Sequence, residues 1–358
     1  MKKTPLYNQH IKLQAKMVDF GGFIMPIQYQ GISIEHQCVR NNVGIFDVSH
    51  MGEFFVSGND SLKFLNYVCT NNIDRIKINT AQYNCFTNNK GGIIDDLIIY
   101  RCGLNEYMLV VNASNIEKDW NWLVKKIGNY KCELTNESDN IGLISVQGPK
   151  SIDLVNKVFD KNFEHLKKFN FTESIVMNSK IIISNTGYTG SAGFELYMDK
   201  EITSKIWLDF LKNGADLGLQ PIGLGARDTL RMEMGYCLYG NDIDDNTTPF
   251  EANLMWITNL KKDFIGKKMI EKSIKNSSKK MINFKMIDRG IPRNGYEICD
   301  KNGKKIGNVT SGTFSPTHKI GIGIGYTKNK SNIGDIIFLS IRKKLLKAKI
   351  IKLPIKNG

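Results

Sequence analysis

Three stretches of the 358-residue chain hold side chains whose types and spacing could do chemistry. Asp95-Asp96 follows Gly91-Gly92-Ile93-Ile94 and opens an apolar, β-branched run. Side chains alternate along such a strand, so Asp96 shares a face with Ile98 and Tyr100, while Asp95 points the other way with Leu97 and Ile99. A carboxylate placed there either accepts from nearby amides in a turn or is held in a cleft for acid–base or charge-stabilising work. Spacing alone favours the turn, because aspartate is a common turn residue.

The second stretch is Gly187-Tyr188-Thr189-Gly190-Ser191-Ala192-Gly193-Phe194-Glu195. Its glycines would let backbone approach a flat ligand, its tyrosine could stack on one, and Glu195 could accept from the ring N–H and exocyclic amine of a planar heterocycle. Gly187 and Gly190 are three apart and no helix follows, which excludes a dinucleotide fingerprint. The third stretch, Gly223-Leu224-Gly225-Ala226-Arg227-Asp228, opens a helix whose first-turn amides favour anions. Arg227 either offers its fork to a carboxylate or pairs internally with Glu195, Asp228 or Glu233.

Other chemistries are disfavoured. Cys38, Cys69, Cys85, Cys102, Cys132, Cys237 and Cys299 stand singly with no C-x-x-C, which points to a reducing cytoplasm and away from disulfides or zinc. The five histidines lack H-x-x-x-H spacing, so no metal is expected. Apolar runs such as Ile336 to Ile341 fall far short of the ~18 residues of a membrane span, and Met1 to Phe20 has no apolar block after Lys2-Lys3, so neither a span nor a signal peptide is expected.

With 41% hydrophobic and 23% charged residues the chain reads as globular, and its length suggests two or three domains. The net charge of +14 is uneven, since Lys261 to Gly358 holds 24 Lys and Arg against 6 Asp and Glu. That excess reads either as a surface for an acidic partner or as solvated lysine faces. No aromatic-interleaved basic box is present, so nucleic acid is not expected.

The elements that must position these residues are strands and helices in alternation. Leu97 to Cys102 and Tyr107 to Val111 flank a turn and read as a hairpin, and Ser114-x-x-Glu117 reads as a capping box for a helix through Trp120, Leu123 and Ile127. Ile141 to Val146 reads as a buried strand ending at Gln147-Gly148-Pro149, with Pro149 opening the next helix. Ser174 to Met177 and Ile181 to Ser184 form a second hairpin, Phe194 to Met198 a strand, and about 201–216 and 224–236 two helices. Beyond the polar stretch Glu271 to Lys280, read as a linker, only strands follow, with Asn302-Gly303 as a hairpin turn. This is an α+β pattern followed by a small β-barrel or sandwich.

Several further runs accompany these: Phe46-Asp47-Val48-Ser49-His50-Met51-Gly52-Glu53, Val111-Asn112-Ala113-Ser114-Asn115, Thr186-Gly187-Tyr188-Thr189-Gly190 and Thr310-Ser311-Gly312-Thr313-Phe314-Ser315-Pro316. In this order, over nearly the whole chain, they resemble the aminomethyltransferase, or T-protein, of the glycine cleavage system. The resemblance implies a three-domain cloverleaf around a central tetrahydrofolate pocket. Residues 1–275 would form a folate-binding catalytic region of two interleaved α+β domains, the second roughly 52–135 plus 147–225, and residues 281–358 a C-terminal β-barrel.

It also implies transfer of the aminomethyl-derived carbon from the lipoyl arm of H-protein to tetrahydrofolate, giving 5,10-methylenetetrahydrofolate and ammonia, by a cytoplasmic monomer in transient complex with H-protein. By motif position Asp96 lies beside folate N10, where its carboxylate would orient the nucleophile and stabilise cationic character as ammonia leaves. Met51, Tyr83, Asn112, Tyr188, Glu195 and Arg227 are placed around the folate. The alternatives are a folate-dependent demethylase of a small amine or sulfonium compound and, from the charge alone, a basic nucleic-acid-binding protein.

Overall fold

The computed structural model describes residues 1–328, 331–342 and 344–355. The chain divides into two compact units, one of Met1–Val68, Asn72–Asn84 and Asp96–Arg227, the other of Cys69–Asn71, Cys85–Asp95 and the chain from Asp228 onward.

Beside a two-stranded ribbon of Lys16–Phe20 and Phe23–Gln28, two larger sheets organise the first unit. The larger has six strands in the order Phe171–Val176, Ser179–Ser184, Gly193–Asp199, Ile141–Gln147, Val43–Asp47 and Leu219–Pro221. Its neighbours are antiparallel except the last pair. Ile144, Val146, Phe194 and Leu196 on one face meet Leu154, Phe159, Trp207 and Phe210 of helices Ser151–Phe159 and Lys200–Asn213 in one buried cluster. Alternation therefore turns Glu195 and Tyr197 to the opposite face.

The smaller sheet runs Thr80–Thr87, Ile93–Arg101, Glu106–Val111, Gly52–Ser57, Glu133–Asn136. Phe54 meets Trp120 of helix Ile116–Ile127 with ring centroids 5.3 Å apart, which marks the helix-covered face. Glu53 pairs with Val110, and Val110 with Ile98, so Glu53 shares the other face with Asp96 and Tyr100. At Tyr100 that face meets the larger sheet, where its hydroxyl lies 2.9 Å from that of Tyr197.

The second unit contains a closed barrel in the order Lys280–Met286, Ile320–Thr327, Lys305–Ser315, Glu297–Cys299, Ile336–Ile341, Lys344–Ile351, and the last strand returns to pair with the first. Phe284, Ile298, Val309, Leu339 and Ala348 fill it. A Cβ on Gly323 would stand 2.3 Å from the Phe284 ring, so only glycine fits beside that side chain. In the last strand Ala348 and Ile350 are buried while Lys347 and Lys349 are exposed, which puts that part of the lysine excess on the outer wall. Residues 356–358 of the expected barrel segment lie outside the described residues.

Three local expectations are corrected. Ser114 caps nothing, because Ala113–Asn115 is a 3-10 turn and the helix starts at Ile116 without a side-chain cap. The helix after Pro149 begins only at Ser151. Most of the expected linker belongs to helix Lys267–Asn276, whose single buried residue, Ile270, anchors it beside Gly91; its lysines hid that one-residue apolar contact from a composition reading.

Candidate active site

Asp96 stands near the start of strand Ile93–Arg101 and is partly exposed. Tyr83 donates its hydroxyl to Oδ2 at 2.7 Å, and Asn112 donates its amide to Oδ1 at 2.9 Å and to the Asp96 carbonyl at 3.1 Å. Both carboxylate oxygens are thus oriented from neighbouring chain segments. Its neighbour Asp95 is fully buried. Of the expected residues, Tyr83, Asn112 and Asp96 form one hydrogen-bonded group.

A second group surrounds Glu195, which is 9% exposed. Thr186 Oγ1 donates to its Oε2 at 2.5 Å. Burial raises the Glu195 carboxyl above the ordinary carboxylate range, opposed by the Thr186 bond, the charge of Arg227 and the nearby Tyr197 hydroxyl. The Arg227 guanidinium lies over the Tyr188 ring, 4.6 Å from its centroid. Tyr188, Glu195 and Arg227 therefore come together, with Arg227 acting on Glu195 through its charge as well as stacking on Tyr188.

Two glycines of this loop, Gly187 and Gly193, make room for a protein side chain. A Cβ on Gly187 would lie 2.2 Å from Gln147 Oε1, and one on Gly193 2.4 Å from Gln147 Nε2. The space belongs to the buried Gln147 amide, which donates to the Thr186 carbonyl at 3.1 Å and accepts from Thr189 Oγ1 at 2.9 Å. Gln147 thereby sets the loop that presents Thr186 and Tyr188.

The start of the Arg227 helix is fixed similarly. The buried carboxylate of Glu35 accepts from Gly223 N at 2.7 Å and, on its other oxygen, from Tyr29 N and Gly31 N. A Cβ on Gly223 would lie 2.4 Å from the Ile27 carbonyl, so the approach needs glycine.

Met51, partly exposed, sits on a turn held by buried Asp47. Asp47 accepts from Thr4 at 2.6 Å, His10 Nε2 at 2.8 Å and Ser49 N at 2.9 Å. Burial pushes the Asp47 carboxyl up, but these partners, His10 foremost, hold it below its ordinary value. His50 in the same turn packs edge-on to Phe20 at 5.4 Å. Burial and then the Arg227 charge lower it to about 4, so it is neutral at physiological pH. Its Nδ1 has no partner among the described residues, and neither carboxyl oxygen of buried Glu53 has one; burial pushes the Glu53 acid up, toward its neutral form.

Sequence reasoning missed Gln147, Thr186 and Tyr197 as parts of this site. Tyr100 carried a usable signal, since it falls on the Asp96 face by alternation. Among the described residues no three His, Cys, Asp or Glu side chains gather as metal ligands, and no helix is long and apolar enough to cross a membrane.

Comparisons with known proteins agree over the whole length. The family described as GCVT N-terminal domain matches residues 6–262, and that described as glycine cleavage T-protein C-terminal barrel domain matches residues 279–356. An aminomethyltransferase of Bacteroides fragilis is 50% identical over 362 residues, covering 100% of both chains. One of Halothermothrix orenii is 48% identical over 99% of both. The crystal structure of the glycine cleavage system aminomethyltransferase T from Bartonella henselae superposes with a TM-score of 0.92 at 32% identity, covering 99% of this chain and 97% of that one. The mixed α/β architecture with its closed C-terminal barrel is the one expected from the sequence, and the demethylase alternative is not favoured. The chain belongs to the aminomethyltransferase family, the T-proteins of the glycine cleavage system, and is a transferase.

Proposed function

We propose that the chain moves the aminomethyl carbon from the lipoyl sulfur of a glycine cleavage H-protein to tetrahydrofolate. The C–S bond breaks to return the dihydrolipoyl thiol, bonds form from that carbon to the folate nitrogens, and ammonia leaves. The observation that carries this reading is the Asp96 carboxylate, oriented on both oxygens by Tyr83 and Asn112 yet still partly exposed. A fixed anion of this kind costs no reorganisation when positive charge develops on the transferred carbon.

The residues fit a reduced pterin by their donor set. Glu195 offers acceptors to a ring N–H and amine, Tyr188 supplies an aromatic ring, and Arg227 acts on Glu195 through its charge. Met51, Tyr83 and Asn112 complete the proposed binding set, with Asp96 as the catalytic residue. We assign folate binding to residues 1–275, with the second interleaved domain at 52–135 plus 147–225, and the barrel to 281–358. H-protein would be engaged transiently by a monomer in the cytoplasm, a compartment that suits the seven free cysteines.

The test is ammonia release from aminomethylated H-protein with and without tetrahydrofolate. Folate should accelerate it strongly. Asp96→Ala should slow transfer about 10²- to 10³-fold while tetrahydrofolate affinity changes less than about threefold. Equal losses in rate and affinity would contradict the charge-stabilising role.

A further inference from the structure

Behind Glu195 runs a line of hydroxyls that reaches the strand of Asp96. Tyr100 is fully buried, four residues after Asp96 and on the same face, and its oxygen lies 3.0 Å from Thr186 Oγ1 and 2.9 Å from the Tyr197 hydroxyl. Thr186 Oγ1 in turn lies 2.5 Å from Glu195 Oε2 and 3.1 Å from Ser184 Oγ. Each hydroxyl has a single proton to give.

That limit sets the direction of the line. An ionised Glu195 only accepts, so the Thr186 proton goes to Oε2 across the shortest of these contacts. Thr186 must then accept from Tyr100. Tyr100, its proton used, accepts from Tyr197. Three O–H dipoles thus point head to tail at one carboxylate oxygen, and each bond polarises the next.

We infer that Tyr100 is a positioning residue for the folate co-substrate: through Thr186 it orients Glu195 as an acceptor-only group, and it ties the strand of Asp96 to the strand of Glu195. The site then selects a ring edge that carries two donors, such as the ring N–H and 2-amino group of a pterin. This inference rests on the tetrahydrofolate reading proposed above. The Tyr100 ring packs on Phe171 at 5.4 Å, so its aromatic body has a packing role that survives loss of the hydroxyl.

Tyr100→Phe removes that hydroxyl alone. Calorimetry on the full chain would compare tetrahydrofolate with its 2-desamino analogue, in which hydrogen replaces the amine. Wild type should prefer tetrahydrofolate, and Tyr100→Phe should weaken tetrahydrofolate by about tenfold, a loss of the order of one buried hydrogen bond. The analogue should weaken less, so the preference shrinks, while the transfer rate at saturating folate stays within about threefold.

Equal weakening of both ligands, or no change in either, overturns the inference while wild-type binding leaves the folate reading intact. Failure of wild type to bind tetrahydrofolate overturns both. Should Tyr100→Phe fail to fold, Tyr197→Phe removes the donor at the head of the line. It should shrink the preference in the same direction, and an unchanged preference there also overturns the inference.

Discussion

Arg227 and Arg231 lie one turn apart on helix Leu224–Met234, and their surroundings could hardly differ more. Arg231 is 1% exposed. Its Nε reaches Asp228 at 2.9 Å, Nη1 reaches Asp242 at 2.7 Å and the Tyr236 carbonyl at 2.9 Å, and Nη2 donates to Ser311 Oγ at 2.9 Å. Asp242 also accepts from Thr310, Ser311 and Leu238 N. Two residues further, Glu233 accepts from Ser315 and from both the amide and hydroxyl of Thr317. The Thr310–Pro316 run is therefore pinned to this helix by buried polar bonds. Arg227, by contrast, is only partly buried, lies over a tyrosine ring and acts on Glu195 and His50 through its charge. An arginine with its fork enclosed by acids and hydroxyls is a fastening, whereas one stacked on an aromatic face can respond to a ligand.

The largest effect should follow from loosening the fastening. Arg231→Met leaves Asp242 buried without its cation and should cost about 3–5 kcal/mol of stability, read as a fall in the urea midpoint. A midpoint unchanged from wild type would erase the contrast with Arg227.

Next in size is the acid response near Arg227. His50 titrates at about 4 when folded against 6.5 ordinarily, so between these values the folded chain binds fewer protons than the unfolded one. Its contribution is complete above pH 6.5 and is lost as pH falls toward 4, amounting to roughly 3 kcal/mol. Urea midpoints measured from pH 7 to 4 should fall with a slope that His50→Gln flattens. An equally steep slope in the variant would show that other groups carry it.

The smallest effect on stability is expected at Arg227 itself. Arg227→Ala removes a cation–π contact of ~0.5–2 kcal/mol at a partly exposed site together with the guanidinium charge beside Glu195 and His50, so the thermal midpoint should move less than in Arg231→Met. Tetrahydrofolate affinity should nonetheless fall by about tenfold, because Glu195 loses the charge that opposes its burial. A large loss of stability with unchanged affinity would make Arg227 a second Arg231.

Much of this was legible along the chain because strand alternation and turn chemistry are local. Alternation placed Asp96 and Tyr100 on one face, the barrel strands followed from β-branched runs broken by turns, and the ordered motifs pointed to the family. Local reading failed where a side chain was used by something distant. The glycines at 187 and 193 look like a ligand loop in sequence, yet they make room for Gln147, some forty residues away. Ser114 looked like a cap, but the 3-10 turn before Ile116 left it none to make.

By itself the sequence determined the strands, the faces their residues take, the α+β pattern and the identity of the groups able to do chemistry, since dihedral preference and apolar period act between near neighbours. Only the tertiary structure decided which acid is tied down by which hydroxyl. Tyr100 meets Thr186 and Tyr197 across 86 and 97 residues of chain, and such pairings exist only once two sheets have packed and every buried donor has had to find an acceptor.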